Sequence, residues 1–385
     1  MIRRSLRLLP LLLALLAVPS RAAAQGPDGR APSWADFVRR MDGYMKEQAI
    51  VGGSAMLVRD GRIVERHHAG FADGAGRRPV TDRTLFHWAS VTKTLTAVAL
   101  LQLRDRGLLA LDDPVTRWVP ELRRVHDSAG DIDRITLRML LGHSSGLQSP
   151  TWPWTEGEAW EPFEPTEWEQ LVAMMPYQRL RFRPGTAYGY SNPGYIYLAK
   201  VIERVTGDPW AVYVQKNIWM PLGFDRSYVG RTPWHMAADR GHGYRADSLG
   251  GPPADLGADF DPGITIPNSG WNAPVEELAR WAAWLAGTGD GVLARRTLEE
   301  IRRPVRSTGN RLPEFSDVGL GVFSLDADGR RIIGHTGDQA GYRALLYVDP
   351  DRHTGLVLVF NTTREGAAAD SALGALARDG LRLLR

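Results

Sequence analysis

The 385-residue chain is 43% hydrophobic and 24% charged, which is ordinary for a globular protein and leaves ample chain for a real core. Its formal charge is +3, and four arginines (Arg3, Arg4, Arg7, Arg21) fall in the first 24 residues, so the chain from Gln25 onward carries −1; nothing here supports nucleic-acid binding. There is no cysteine, which excludes disulfides, thiol catalysis, a lipid-anchored cysteine and a cysteine zinc site.

The N-terminus reads as a targeting segment. Arg3, Arg4 and Arg7 precede an apolar run, Leu8 to Val18, that is too short to span a bilayer, and Ala22-Ala23-Ala24 offers small residues for cleavage. The pattern predicts a signal peptide over residues 1–24, cut near Ala24, and a mature protein in the periplasm or medium. Arg3-Arg4 leaves the twin-arginine route open beside the general one. No later run is long enough for a membrane helix.

Trp34, Phe37, Val38, Met41, Tyr44 and Met45 then recur at helical spacing, with Ser33 as N-cap. Residues 54–59 and 62–69 read as strands joined at Asp60-Gly61, a two-residue hairpin turn. A helical pattern follows through Thr94, Leu95, Val98, Leu101 and Leu103 and stops at Gly107. Leu109 to Val115 is a turn into another helix, and Ile135 to Leu141 is a short helix ending at Gly142. Residues 148–170 interleave Trp152, Trp154, Trp160 and Trp168 with prolines and read as a long loop forming one wall of a substrate cleft. Helices are expected at 193–206, 210–219 and 274–285, with residues 231–270 irregular. Strands are expected at 320–325, 331–336, 342–348 and 355–361, punctuated by turns at Asp328-Gly329 and Asp349-Pro350, then a closing helix over 367–384. The simplest packing is an α/β (α+β) fold. One antiparallel sheet of about five strands, built from both ends of the chain, is flanked by the terminal helices and accompanied by a mostly helical lobe. The expected division is an α/β lobe from 33–95 and 318–385 and a helical lobe over 96–317.

Ser90 and Lys93 fall in the first turn of the helix that opens after Trp88. Residues three apart share a helix face, so hydroxyl and amine can meet. A serine needs an adjacent base to act as nucleophile, and a lysine serves only if its pKa, ~10.4 in water, is lowered by burial or charge. Tyr190-Ser191-Asn192 follows a turn at Arg183–Thr186 and supplies a phenol that can relay a proton and an amide that can hold a carbonyl. His335-Thr336-Gly337 ends a strand, where the glycine lets another backbone approach closely. Gly142-His143-Ser144-Ser145-Gly146 fits G-x-S-x-G, but a helix precedes it and none follows cleanly; the stretch reads as a structural loop, not a nucleophile elbow. The nine histidines show no H-E-x-x-H and no paired ligand spacing, so neither a metal nor another cofactor is expected.

Ser90-Val91-Thr92-Lys93, Tyr190-Ser191-Asn192 and His335-Thr336-Gly337 in this order resemble the motif set of the serine β-lactamase-like superfamily. The branch resembled is that of class C β-lactamases, D-alanyl-D-alanine carboxypeptidases and related esterases. Leu140 to Leu147, Pro184-Gly185-Thr186 and Pro221-Leu222-Gly223-Phe224 add to the resemblance, which covers nearly everything after the leader. It implies Ser90 as acylated nucleophile, Lys93 as its activator and Tyr190 as proton shuttle. It implies Asn192 as the residue binding the substrate amide, His335, Thr336 and Gly337 as the strand that substrate lies against, and the N–H groups of Ser90 and Asp338 as oxyanion hole. The implied partner is a small-molecule or peptide substrate, with oligomeric state left open. His335 stands where class C β-lactamases usually carry lysine. Any help it gives an anionic substrate should fade as pH rises through its pKa, ~6.5 if unperturbed. A peptidase or esterase is therefore favoured over a class C-like β-lactamase. A non-catalytic sensor of penicillin or peptidoglycan and an α/β-hydrolase using Ser144 are the competing classes.

Overall fold

The computed structural model describes residues 33–125, 129–147, 165–246, 251–289 and 291–385. The expected signal peptide and residues 148–164 of the Trp-rich loop lie outside them. Helix α1 (Trp34–Glu47) starts as its sequence dictates: Ser33 Oγ accepts the Asp36 N–H at 3.2 Å and the Asp36 carboxylate accepts the Ser33 N–H at 3.1 Å, a reciprocal cap on two orphan donors. Phe37, Met41 and Met45, four apart, form its buried stripe.

Strands β1 (Gly52–Arg59), β2 (Arg62–Asp73) and β3 (Arg78–Pro79) come from the N-terminal part of the chain. From the C-terminal part come β4 (Arg306–Ser307), β5 (Asp317–Val318), β6 (Phe323–Ala327), β7 (Arg330–Gln339), β8 (Tyr342–Asp349) and β9 (Thr354–Phe360). They form one sheet in the order β3-β2-β1-β9-β8-β7-β6-β5-β4. As expected, the two ends of the chain meet in mid-sheet: β1 pairs antiparallel with β9, from Gly53 opposite Phe360 to Arg59 opposite Thr354. The sheet has nine strands, not about five. Three of the additional strands, β3, β4 and β5, are two residues long and too short to carry an alternating pattern. Residues 231–270 also hold more order than expected, with short strands at Gly243–Ala246 and Ala254–Gly257.

Three hairpins turn on pairs of left-handed residues: Asp60-Gly61 (φ 47° and 78°), Asp328-Gly329 (56° and 75°) and Ala340-Gly341 (52° and 83°). Positive φ at both central positions matches the strand twist, which is why Asp-Gly signalled the first two. Ala340 carries no such signal, so the third was not legible.

Helices α2 (Thr92–Asp105), α3 (Asn192–Thr206), α4 (Val275–Leu285) and α5 (Ala367–Leu381) complete the frame that positions the site. The sheet separates two apolar cores. Phe37, Met41, Leu345, Leu358 and Leu376 bury one face beneath α1 and α5. Met56, Val357 and Val359 on the other face join Leu95, Leu101, Trp281 and Leu285 of α2 and α4. Every residue of α2 from Thr92 to Leu103 is buried, which marks it as the central helix. Among the described residues no helix is long and apolar enough to cross a membrane.

Candidate active site

A tight turn, Ala89–Val91, carries Ser90 into α2. Ala89 sits at φ 46°, a conformation that L-residues adopt at a cost and that persists only when neighbours enforce it. Its neighbours enforce it: Trp88 N donates to Trp271 O at 2.9 Å, and Trp88 Nε1 donates to Ala273 O at 3.0 Å. Thr92 Oγ1 donates to Ala89 O at 2.6 Å and accepts the Trp271 N–H at 3.0 Å. The short strand Trp271–Pro274 therefore fixes the turn from one side.

From the other side comes β7. A Cβ added to Gly337 would lie 2.4 Å from Trp88 O and 3.2 Å from Ser90 N. Glycine is needed there because two backbones approach closely, as the strand-end reading expected.

Lys93 lies wholly buried one turn after Ser90. Its Nζ is 3.2 Å from Ser90 Oγ and 3.0 Å from Asn268 O. Burial, which penalises the ammonium, holds its pKa well below the ordinary lysine value. Nζ also lies 4.8 Å from the centroid of the Tyr190 ring. Burial raises the Tyr190 phenol strongly, and a hydrogen bond with Ser90 opposes the shift; the phenol keeps its proton at neutral pH. Ser191, between Tyr190 and Asn192, is the N-cap of α3, its Oγ accepting the Gly194 N–H at 3.2 Å. The cap fixes where its two neighbours leave the chain. Asn192 Oδ1 is buried without a protein partner.

His335 on β7 is 3% exposed. Its Nδ1 bonds the Thr336 carbonyl. A carbonyl only accepts, so Nδ1 carries the proton and Nε2, buried and without a partner, presents a lone pair. Burial first and the Lys93 charge second push its pKa down to about 3, with the Thr336 bond opposing. An unperturbed histidine titrates near 6.5; His335 is perturbed, and desolvation keeps the ring neutral across the physiological range. The Asp338 side chain is held by Arg343, and its pKa is raised by burial against the pull of that guanidinium.

These groups surround a cleft of about 330 Å³ whose lining includes Ser90, Tyr190, His335, Thr336, Gly337 and Asp338. Asn192 and Lys93 are not part of that lining; Lys93 stands beneath the nucleophile. Ser144, in contrast, is 8% exposed and follows the short helix Leu137–Leu141, with no strand before it. The nucleophile-elbow geometry is absent from this stretch.

Sequence reasoning assigned no role to His143. The structure stacks its fully buried ring on Tyr190, with centroids 4.4 Å apart and planes at 23°. His143 O accepts the Gly189 N–H at 2.8 Å and its Nδ1 accepts the Ser191 N–H at 3.1 Å. The residue thus grips the backbone on both sides of Tyr190 and the phenol ring between. A histidine between a leucine-rich helix end and a Gly-bounded loop was the available signal, but its partner lies 47 positions on in the chain. His143→Phe should keep the stack and strand the Ser191 N–H, costing about 1–3 kcal/mol; a lower urea midpoint at unchanged slope would report it. An unchanged midpoint would show that the hydrogen bond contributes nothing.

Comparison with known proteins decides the family. The Beta-lactamase family model matches residues 37–379. The chain belongs to the Beta-lactamase family. It is 35% identical over 236 residues to esterase EstB of Burkholderia gladioli, covering 56% of this chain and 58% of that one. It is 28% identical over 331 residues to a D-aminopeptidase of Cereibacter sphaeroides, covering 85% of this chain and 60% of that one. It thus spans about three fifths of the length of these two relatives. Among solved structures, the octameric penicillin-binding protein homologue of Pyrococcus abyssi superposes with a TM-score of 0.77 at 25% identity, over 92% of this chain and 77% of that one. The β-lactamase/transpeptidase-like fold class expected from the motifs is therefore the observed one.

Proposed function

We propose that this β-lactamase-family protein is an exported serine hydrolase that forms an acyl-enzyme on Ser90. Its substrate is an amide or ester, a small ester or D-alanyl-type peptide in preference to a β-lactam. The observation that carries the reading is the buried Lys93 amine 3.2 Å from Ser90 Oγ. Burial lowers the pKa of the amine, and the neutral form this favours can accept the hydroxyl proton as Oγ attacks the carbonyl carbon. The oxyanion forms against the N–H groups of Ser90 and Asp338. Tyr190, whose phenol burial keeps protonated, acts as acid: it gives its proton to the leaving nitrogen or oxygen as that bond breaks, and recovers one from the Lys93 ammonium. Water then attacks the acyl ester and its proton returns to Ser90 Oγ. Asn192 holds the substrate amide, and His335, Thr336 and Gly337 form the edge along which it lies.

The names of the relatives, an esterase and a D-aminopeptidase, support ester or amide cleavage. A neutral His335 supports the preference against β-lactams, because it offers no charge to their carboxylate. Small neutral p-nitrophenyl esters should therefore be hydrolysed faster than cephalosporins. The preference should be flat between pH 5.5 and 8, since no His335 charge is there to lose. His335→Lys should shift the ratio toward β-lactams. Efficient cephalosporin turnover by the wild type with little esterase activity would restore the class C-like reading. Acylation without turnover would favour the sensor.

A further inference from the structure

We infer that Glu277 is a positioning residue for Ser90: through Ser227 and the Trp271 indole it sets the turn that presents the nucleophile and its oxyanion N–H. The inference rests on Ser90 as the acyl acceptor and adds what holds that residue in place.

Glu277 lies in the first turn of α4 and is 2% exposed. Its Oε1 accepts the Arg226 N–H at 2.9 Å and its Oε2 accepts the Ser227 hydroxyl at 2.6 Å. The Arg280 guanidinium stands 3.7 Å from Oε1. Ser227 Oγ in turn accepts the Trp271 Nε1–H at 2.8 Å. The directions are forced, because an indole N–H only donates and a serine has one proton to give. The relay runs from indole to hydroxyl to carboxylate and ends on a buried acceptor, where a hydrogen bond is strong. A desolvated carboxylate is a poor source of stability; this one supplies a fixed end for the relay.

The other end of the relay is the turn. Trp271 is fully buried, its ring stacked with those of Trp219 and Phe224 at 6.3 and 6.4 Å between centroids. The backbone of the same residue binds both sides of Ser90. Its carbonyl takes the Trp88 N–H, and its own N–H goes to Thr92 Oγ1, which donates to the Ala89 carbonyl. An indole pinned at Nε1 and on its faces stops Trp271 from sliding along its strand, and both anchors stay with it. Ala89 at φ 46° depends on them, since a strained residue relaxes when its surroundings loosen. That relaxation would carry Ser90 Oγ away from Lys93 Nζ, now at 3.2 Å. Glu277, Ser227 and Trp271 do not line the cleft, so they act on the rate through the turn and not through contact with substrate.

The test uses the full chain and a fluorophosphonate. The rate constant for labelling Ser90 reports the geometry of the folded molecules, and the final extent reports how many are folded. Ser227→Ala, Trp271→Phe and Glu277→Gln should each lower the rate constant about 10–100-fold, the usual cost of a small misplacement of reacting atoms, at unchanged final extent. Ser227→Ala combined with Trp271→Phe should be no slower than the slower single variant, because both cut one relay. Amide exchange read by mass spectrometry should quicken across residues 88–92 in each variant and stay unchanged across β9. Unchanged rate constants overturn the positioning role and leave Ser90 as nucleophile. So does slowed labelling with unchanged exchange at 88–92, and so does a general loosening that lowers the extent alone. Quicker exchange confined to 88–92, in variants of a wild type that does not label at Ser90, supports the anchored turn and overturns the hydrolase reading.

Discussion

Lys93→Ala is expected to slow acylation of Ser90 by about 10²–10⁴-fold, the usual worth of a positioned general base. The expectation follows from three observations at one residue: full burial, a 3.2 Å approach to Ser90 Oγ, and a pKa that burial holds well below its ordinary value. Tyr190 cannot take over, because burial raises its phenol and keeps it protonated. Lys93→Arg should be as slow as Lys93→Ala, since a guanidinium does not give up its proton in this range. The burst of p-nitrophenol from an ester in rapid mixing reads the acylation step. Circular dichroism of each variant separates lost chemistry from lost fold. Near-normal bursts from folded Lys93→Ala would remove Lys93 as the base.

The second large effect is on stability in acid. His87 and His335 are 1% and 3% exposed and His143 is fully buried. Burial, with the charge of Arg240 adding to it, lowers His87 to about 4. Burial, then Lys93, lowers His335 to about 3. Burial, then Lys93 and His335, holds His143 well below its ordinary value. In the unfolded chain each titrates near 6.5. As pH falls from 6.5 toward 4 the unfolded chain takes up protons that the native one refuses, so stability falls with pH. The limiting slope is about 1.4 kcal/mol per pH unit for each histidine, hence about 4 for the three together. Glu277 and Asp338, both raised by burial, act in the opposite sense and offset part of that slope within the range from pH 6.5 to 4. Urea midpoints at constant slope should drop steadily across it. His87→Gln, which removes one titrating ring held between Asn272 and Gln339 at 3.0 Å each, should flatten the slope by about a third. A midpoint unchanged from pH 7 to 5 would contradict the buried neutral histidines.

What was legible in the sequence was local or motif-borne. The Ser33 cap, the Asp-Gly turns and the central strands each depend on a few adjacent residues, and all formed where expected. The meeting of β1 with β9 followed from strands at both ends of the chain. The three motifs supplied Ser90, Tyr190 and His335, which share one cleft, and Lys93 beneath it. The sequence was blind where meaning depends on distant neighbours. Nothing near His335 signals that burial would silence its charge. Glu277 gains its place from Ser227, 50 residues away. His143 matters through Tyr190, far along the chain. The two-residue edge strands and the order within 231–270 follow from tertiary pairing and leave no periodic trace.

The central claim is that Ser90 is the nucleophile, and covalent labelling tests it most directly. After incubation with a fluorophosphonate, mass spectrometry should find one phosphonyl group on the peptide carrying Ser90. Ser144→Ala should label as the wild type does, and Ser90→Ala should not label. Modification of Ser144, or labelling that survives Ser90→Ala, would contradict the account.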